Sequence, residues 1–158
     1  MDTLSHALWG RGVYGYRGGA YLSFFCGAMP DLFSFGVYFL ISLLIDSSSF
    51  EYGRPNIQDL PSYVFILYNI THSLITASFF IYLVFKYFGK KYSFAMLAWP
   101  LHIILDFPFH TAEFFPTPIL WPIIEVRFDG ISWSNPYIWF SNITGILILY
   151  LYRYVYSR

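Results

Sequence analysis

Three side chains that bind metal ions well follow one another at intervals of four in one of the most apolar parts of the chain: His102, Asp106 and His110. On an α-helix, residues four apart lie on one face, about 6 Å apart along the axis, so His102 and Asp106 should project together. An ionised carboxylate in hydrocarbon costs at least ~2.5 kcal/mol and is rarely found there without a partner. The sequence therefore predicts a polar site around Asp106.

The residue types at this site favour a divalent metal ion such as zinc, which prefers imidazole nitrogen and carboxylate oxygen. The candidate ligands are all four histidines and two aspartates: His6, Asp31, His72, His102, Asp106 and His110. Three ligands at intervals of four on a straight helix span ~12 Å, which is too far for one shared ion. Either Pro108 breaks the helix before His110, or two ions share a carboxylate.

A metal ion in such a site activates water for hydrolysis, and either Asp31 or Glu113 is the predicted carboxylate that orients this water. Two other functions fit the same residues. In the first, the protein is not an enzyme, and its His and Asp side chains only hold the helices together. In the second, the protein is a small ion or proton transporter with a relay formed by Asp31, His72 and Asp106.

The composition indicates an integral membrane protein, because 57% of the residues are hydrophobic and only 11% are charged. Four apolar stretches approach the ~20 residues that a helix needs to cross a bilayer: 20–45, 62–85, 92–109 and 136–152. Prolines interrupt the first and third, as is tolerated where backbone faces protein or a water-filled cavity. We predict one all-α domain, residues 1–158, with about four transmembrane helices, some interrupted, and a short N-terminal helix.

The basic residues predict the orientation of these helices in the cell membrane. With both termini cytoplasmic, seven of the nine Lys and Arg residues lie inside, and Arg54 and Arg127 lie outside. This topology places His6 at the cytoplasmic face, whereas His110 approaches the outer one. A short helix from Asp2 to Trp9 that re-enters the bilayer would bring His6 closer, with the glycines of residues 10–19 forming the return turn.

Other features narrow the range of partners. The net charge is zero and there is no basic run beyond residues 86–91, so the chain lacks the electrostatic signature of a nucleic-acid-binding protein. The single cysteine, Cys26, has no partner for an internal disulfide and is predicted to be a small buried hydrophobe. The expected partners are membrane lipid and a lipid or phosphoester substrate.

Spaced motifs give the chain a resemblance to a known family over residues 1–125. They are His6, Pro30-Asp31, Thr71-His72-Ser73, His102-x-x-x-Asp106 and Phe115-Pro116-Thr117-Pro118-x-x-Trp121-Pro122. This pattern resembles the YdjM-like inner-membrane proteins, described as LexA-regulated, metal-dependent hydrolases. The order of His and Asp residues is also similar to that of zinc-dependent phospholipase C enzymes, which are all-helical and bind up to three zinc ions. That resemblance implies phosphodiester or phospholipid hydrolysis, with His6, Asp31, His72, His102 and Asp106 as ligands by position.

Overall fold

The computed structural model describes residues 1–17, 19–45 and 55–156, and within these ranges it contains helices and no strand. The prediction of an all-α fold is confirmed. The described α-helices are α1 (Thr3–Tyr14), α2 (Ala20–Asp31), α3 (Val37–Ile45), α4 (Ser62–Thr71), α5 (Leu74–Phe88), α6 (Lys90–Met96), α7 (Ala98–Asp106) and α8 (Pro136–Tyr156). A π-helical segment, Leu32–Gly36, joins α2 to α3.

Two helical stretches are long and apolar enough to cross a membrane: Ala20–Ile45, which runs from α2 to α3, and α8. Helices α4 and α5 pass the same test together, but they are bent by 58° at the break between them. The surfaces of α3 and α8 carry large apolar side chains, among them Leu44 and Leu147, which are 76% and 65% exposed. Exposed apolar surface of this extent is typical of helices that face lipid or a partner.

The predicted span 92–109 is not one of these candidates. In the structure it divides at Leu97 into α6, with seven residues, and α7, with nine residues. Each is too short to cross a bilayer alone, so four spans are not confirmed. Pro100 lies in the first turn of α7, where its missing N–H removes no intrahelical hydrogen bond.

Helices α1 and α2 pack against each other as a close antiparallel pair. A Cβ atom on Gly10 would lie 2.7 Å from the carbonyl oxygen of Ser23, and one on Gly27 would lie 2.5 Å from the carbonyl oxygen of His6. Small residues thus let the two backbones approach closely. Gly10 and Gly12 therefore lie inside α1, contrary to the predicted return turn; the connection to α2 includes the short 3₁₀ turn Gly15–Arg17.

Polar contacts hold α8 against α1. The Asn142 amide accepts a hydrogen bond from the Trp9 indole N–H at 2.8 Å and donates one to the Ser5 hydroxyl at 2.8 Å. The Ser5 hydroxyl in turn donates to the carboxylate of Asp2, which caps the N-terminus of α1. Since a buried amide without partners is costly, this chain of contacts fixes how α8 packs on α1.

Two apolar clusters flank the polar residues. The first is centred on Ile103, Trp99 and Cys26, which confirms that the cysteine is buried. The second is centred on Tyr68 and Phe115. Both clusters contact the segment around His72: the Trp99 indole donates to the carbonyl oxygen of Thr71 at 2.6 Å, and the Tyr68 ring stacks on the His72 ring.

The substitution Gly27→Ala should destabilise the protein by about 1–3 kcal/mol, because the new methyl group would meet the backbone of α1, which cannot move without separating the helices. Thermal unfolding in a neutral detergent measures this loss. Gly36→Ala is the matched control, since its Cβ would meet its nearest neighbours at an ordinary 3.6 Å. Equal unfolding temperatures for the two variants would refute the close packing of α1 on α2.

Candidate metal centre

Four of the predicted ligands converge at one point inside the protein. Asp31, His72, His102 and Asp106 each offer one ligand atom, and these four atoms lie within 4.8 Å of one another. His72, His102 and Asp106 are fully or almost fully buried, whereas the Asp31 side chain is 15% exposed. The prediction that His72, His102 and Asp106 meet, although thirty residues separate the two histidines, is confirmed.

Asp31 is placed by an irregularity in the first long helix. It is the last residue of α2 and immediately precedes the π-helical segment. Pro30 has no N–H to donate within the helix, and its carbonyl oxygen accepts a hydrogen bond from the Ser34 hydroxyl at 2.8 Å. A single π-turn inside an α-helix often marks a functional site. The hydroxyl of Thr3 donates to Asp31 Oδ2 at 2.8 Å, and Asp31 Oδ1 is the atom that faces the histidines.

His72 is placed by the break between α4 and α5. It follows the last residue of α4 and has a non-helical backbone, with φ −103° and ψ 22°. Ser73 then caps α5, because its hydroxyl accepts hydrogen bonds from the N–H groups of Ile75 and Thr76. The apolar stretch 62–85 is therefore two helices with the ligand at the bend between them. The serine after His72 is the sequence signal for this break.

His102 and Asp106 lie one turn apart on α7, as predicted, and His102 Nε2 lies 3.2 Å from Asp106 Oδ2. Helix α7 ends at Asp106, two residues before Pro108. The chain then leaves the helical path and brings His110 Nε2 to 3.4 Å from the same oxygen, Oδ2. The predicted break of the helix before His110 is therefore confirmed.

Hydrogen bonds at the far side of each imidazole determine which nitrogen carries the proton in the neutral ring. His102 Nδ1 lies 2.7 Å from the carbonyl oxygen of Gly27, and His72 Nδ1 lies 3.2 Å from that of Tyr68. Carbonyl oxygens only accept, so these two contacts favour the neutral tautomer with the hydrogen on Nδ1 and the lone pair on Nε2. At His72 the Thr71 hydroxyl is a second contact of Nδ1, at 3.0 Å. The two Nε2 atoms are nevertheless only 3.2 Å apart. Two facing lone pairs repel each other unless a metal ion or a proton lies between them.

The spacing of these atoms fits a ligand shell. A tetrahedral ion with bonds of ~2.0–2.1 Å has ligand atoms about 3.3 Å apart. The observed separations are 3.2 Å between the two histidines, 3.2 Å from His102 to Asp106 Oδ2 and 3.8 Å from His72 to the same oxygen. Asp31 Oδ1 lies slightly farther away, at 3.6 Å from His72 and 3.7 Å from His102. Asp106 Oδ2 is buried and has no hydrogen-bond partner among the described residues, which is the state expected of a ligand atom.

His6 lies beside the group of four and contacts the other oxygen of Asp106. Complete burial lowers the pKa of His6 to about 4, so its ring is neutral near pH 7. Its Nε2 lies 2.8 Å from Asp106 Oδ1, and its ring stacks on His102 with centroids 3.6 Å apart. The amino group of Met1 contacts the same Oδ1 atom. His6 therefore orients the Asp106 carboxylate so that Oδ2 faces the other three histidines.

A cavity of about 670 Å³ adjoins the cluster. Asp31 and His110 line one side of it, and the rest of its lining is mixed. Apolar side chains such as Leu32, Phe35 and Phe109 alternate with five polar residues: Asp2, Thr3, Thr111, Ser132 and Ser134. Within the cluster, Asp31 and His110 are the residues that line the cavity, and their side chains are 15% and 10% exposed. A molecule in this cavity reaches Asp31 and His110, whereas His72 and His102 stay behind them.

Glu113, the second predicted catalytic carboxylate, is exposed, and no contact found among the described residues joins it to the cluster. Three contributors were not predicted from the sequence: Thr3, Tyr68 and Gly27. Gly27 acts through its carbonyl oxygen, which any residue carries, so no residue type could reveal it. Tyr68 is four residues before His72, a spacing that brings its carbonyl oxygen to the imidazole once α4 is known to end there.

Comparisons of the chain with protein-family models, with curated proteins and with solved structures gave no match. The resemblance to YdjM-like proteins and to phospholipase C enzymes therefore stays a prediction.

Asp106→Asn should abolish most metal binding, because it keeps the size of the side chain but removes the charge that attracts a divalent cation. Mass spectrometry of the metal content of protein purified without a histidine tag measures the effect. Asp59→Asn, at an exposed position, is the control and should keep the wild-type metal content. Metal content that is equal in wild type and Asp106→Asn would contradict the assignment.

Proposed function

We propose that this chain is a membrane-embedded, metal-dependent hydrolase that cleaves a phosphoester bond in a lipid or lipid-linked substrate. The observation that carries the proposal is the pair of imidazole Nε2 atoms 3.2 Å apart, with the unpartnered Asp106 Oδ2 3.2 Å from one of them. Such a set of nitrogen and oxygen donors is suited to zinc. When bound, a divalent cation supplies Lewis-acid chemistry, which activates water and polarises a phosphoryl oxygen.

The residues of the cluster divide into those that hold the ion and those that meet the substrate. His72, His102 and Asp106 are buried and would hold the ion, with His110 as a further ligand that shares Asp106. Asp31 faces both the cluster and the cavity, so its Oδ1 is placed to orient a water molecule and accept its proton. In hydrolysis the water oxygen bonds to phosphorus, the ester P–O bond breaks, and the leaving alkoxide takes up a proton.

The surroundings of the cluster support a substrate from the bilayer. Asp31 is the twelfth residue of the 26-residue candidate span Ala20–Ile45, which places it near the middle of that helix. Apolar side chains such as Phe35 and Leu32 line part of the adjoining cavity and suit an acyl or isoprenoid chain, while polar residues such as Ser132 and Ser134 line another part of it. The polar corner at Asp31 and His110 would then receive the phosphate.

A proton relay without metal is the second candidate function, and one observation favours it. His102 Nε2 lies between the two carboxylates, 3.2 Å from Asp106 Oδ2 and 3.7 Å from Asp31 Oδ1, an arrangement that also stabilises an imidazolium. Proteoliposomes distinguish the two functions. Proton flux that persists after removal of all metal would support the relay, and its absence together with bound metal would support the hydrolase.

Asp31→Asn should lower kcat for phosphodiester hydrolysis by about 10²–10⁴, the usual contribution of a general base. The assay uses bis(p-nitrophenyl) phosphate and a phospholipid with a fluorescent headgroup, at a metal concentration that saturates both wild type and variant. Asp59→Asn is the control for a neutralised carboxylate elsewhere. Loss of activity in Glu113→Gln but not in Asp31→Asn would transfer the role to Glu113, and no hydrolysis by metal-loaded wild type would refute the proposed reaction.

The proposed orientation places the end of the molecule that carries Lys90 in the cytoplasm and Glu125 outside, since basic residues collect on the cytoplasmic side. Cysteines introduced at these two exposed positions, in a Cys26→Ala background, should react with a membrane-impermeant maleimide from opposite faces. Labelling of both from one face would show that α6 and α7 do not cross the membrane. Residue Glu51, in the predicted outer loop, lies outside the described residues.

A further inference from the structure

A second cavity, of about 810 Å³, is formed by α5, α6 and the residues that follow α1. Helices α5 and α6 are joined at Gly89, whose φ of +87° lies in the region that favours glycine. Ile81, Tyr82 and Phe85 of α5 line one side of the cavity, and Phe94 of α6 lines the other. We call this cavity the basic groove because Arg17, Lys90 and Lys91 line it. None of its lining residues belongs to the metal cluster.

Three cationic side chains line the basic groove: Arg17, Lys90 and Lys91. The Arg17 guanidinium lies over the Phe94 ring, 4.6 Å from its centroid, which holds this charge beside the apolar lining. No acidic residue lines the groove, and no salt bridge found in the described part of the chain neutralises any of the three cations. The groove thus combines an apolar trough with an uncompensated positive charge.

The position of the groove indicates what binds there. The candidate span made of α4 and α5 ends at Phe88, and Lys90 and Lys91 follow directly. Where an apolar helix leaves the bilayer, its flanking residues lie at the depth of the lipid headgroups. Basic pockets between helices at this depth bind the headgroups of anionic lipids. The apolar trough, which continues along α5, would accommodate an acyl chain.

We propose that the basic groove binds one anionic phospholipid, with its phosphate at Arg17, Lys90 and Lys91 and an acyl chain along Ile81 and Phe85. This inference rests on the membrane location in the proposed function, but not on the metal or on hydrolysis. The binding is a contact with an intact lipid away from the metal cluster, so it requires no reaction. Its test is accordingly independent of metal content.

Native mass spectrometry of the full chain in neutral detergent, with added phosphatidylglycerol or phosphatidylcholine of the same acyl chains, tests the proposal. One phosphatidylglycerol should be retained by wild type in preference to phosphatidylcholine. The double variant Lys90→Gln/Lys91→Gln should bind phosphatidylglycerol about 25-fold more weakly, from about fivefold for each charge near a lipid phosphate. Ser78→Trp keeps every charge but fills the groove, and it should also weaken binding.

The matched control is Arg11→Gln/Lys86→Gln, which removes two exposed basic residues that do not line the groove. Equal losses in the two double variants would overturn the proposal, because they would show general attraction to a basic surface. Equal retention of the two lipids by wild type would also overturn it. Displacement of the lipid by inorganic phosphate alone, at equal concentration, would assign the site to free phosphate. Thermal unfolding of each variant confirms that losses do not arise from misfolding.

Discussion

The buried carboxylate of Asp106 is the group on which the rest of the site depends. Its side chain is 1% exposed, and an ion at that depth is stable only if opposite charge or hydrogen bonds surround it. Its two oxygens have different surroundings. Oδ1 contacts His6, whereas Oδ2 faces the Nε2 atoms of His72, His102 and His110 at 3.8, 3.2 and 3.4 Å. One oxygen is satisfied by the protein, and the other is left for a cation.

Breaks in the helices bring these groups together. Asp31 lies where α2 passes into the π-helical segment, His72 lies between α4 and α5, and Asp106 is the last residue of α7. Regular helices present side chains at fixed intervals and leave no free backbone groups between them. At breaks, the side chains can turn inward, and carbonyl oxygens such as that of Tyr68 become available to orient the imidazoles. The close approach of α1 to α2 then closes the site, since it carries His6 to Asp106.

Contacts between residues close in sequence were easier to predict than contacts between distant segments. The pairing of His102 with Asp106 follows from helical spacing, and the departure of the chain before His110 follows from the chemistry of Pro108. The meeting of His72 with His102 was predicted by the cost of isolated polar groups in apolar surroundings. An interruption of 92–109 is predicted by Pro100, and the structure places the division at Leu97, so that Pro100 lies in the first turn of α7. The predicted N-terminal helix ends too early, at Trp9 rather than Tyr14. Gly10 and Gly12 resemble turn residues in the sequence, but in the structure they lie inside α1 and allow neighbouring helices to pack closely.

The two aspartates of the cluster differ in their burial and in what their oxygens contact. Asp106 is enclosed by four histidines and contacts no open space, so any exchange of its partners requires the protein to open. Asp31 is fixed through Oδ2 by Thr3, while its Oδ1 faces the histidines at the longer distances of 3.6 and 3.7 Å and its side chain borders the cavity. The proposed function uses this difference, since it assigns the ion to the enclosed Asp106 and the substrate to Asp31, whose side chain borders the cavity.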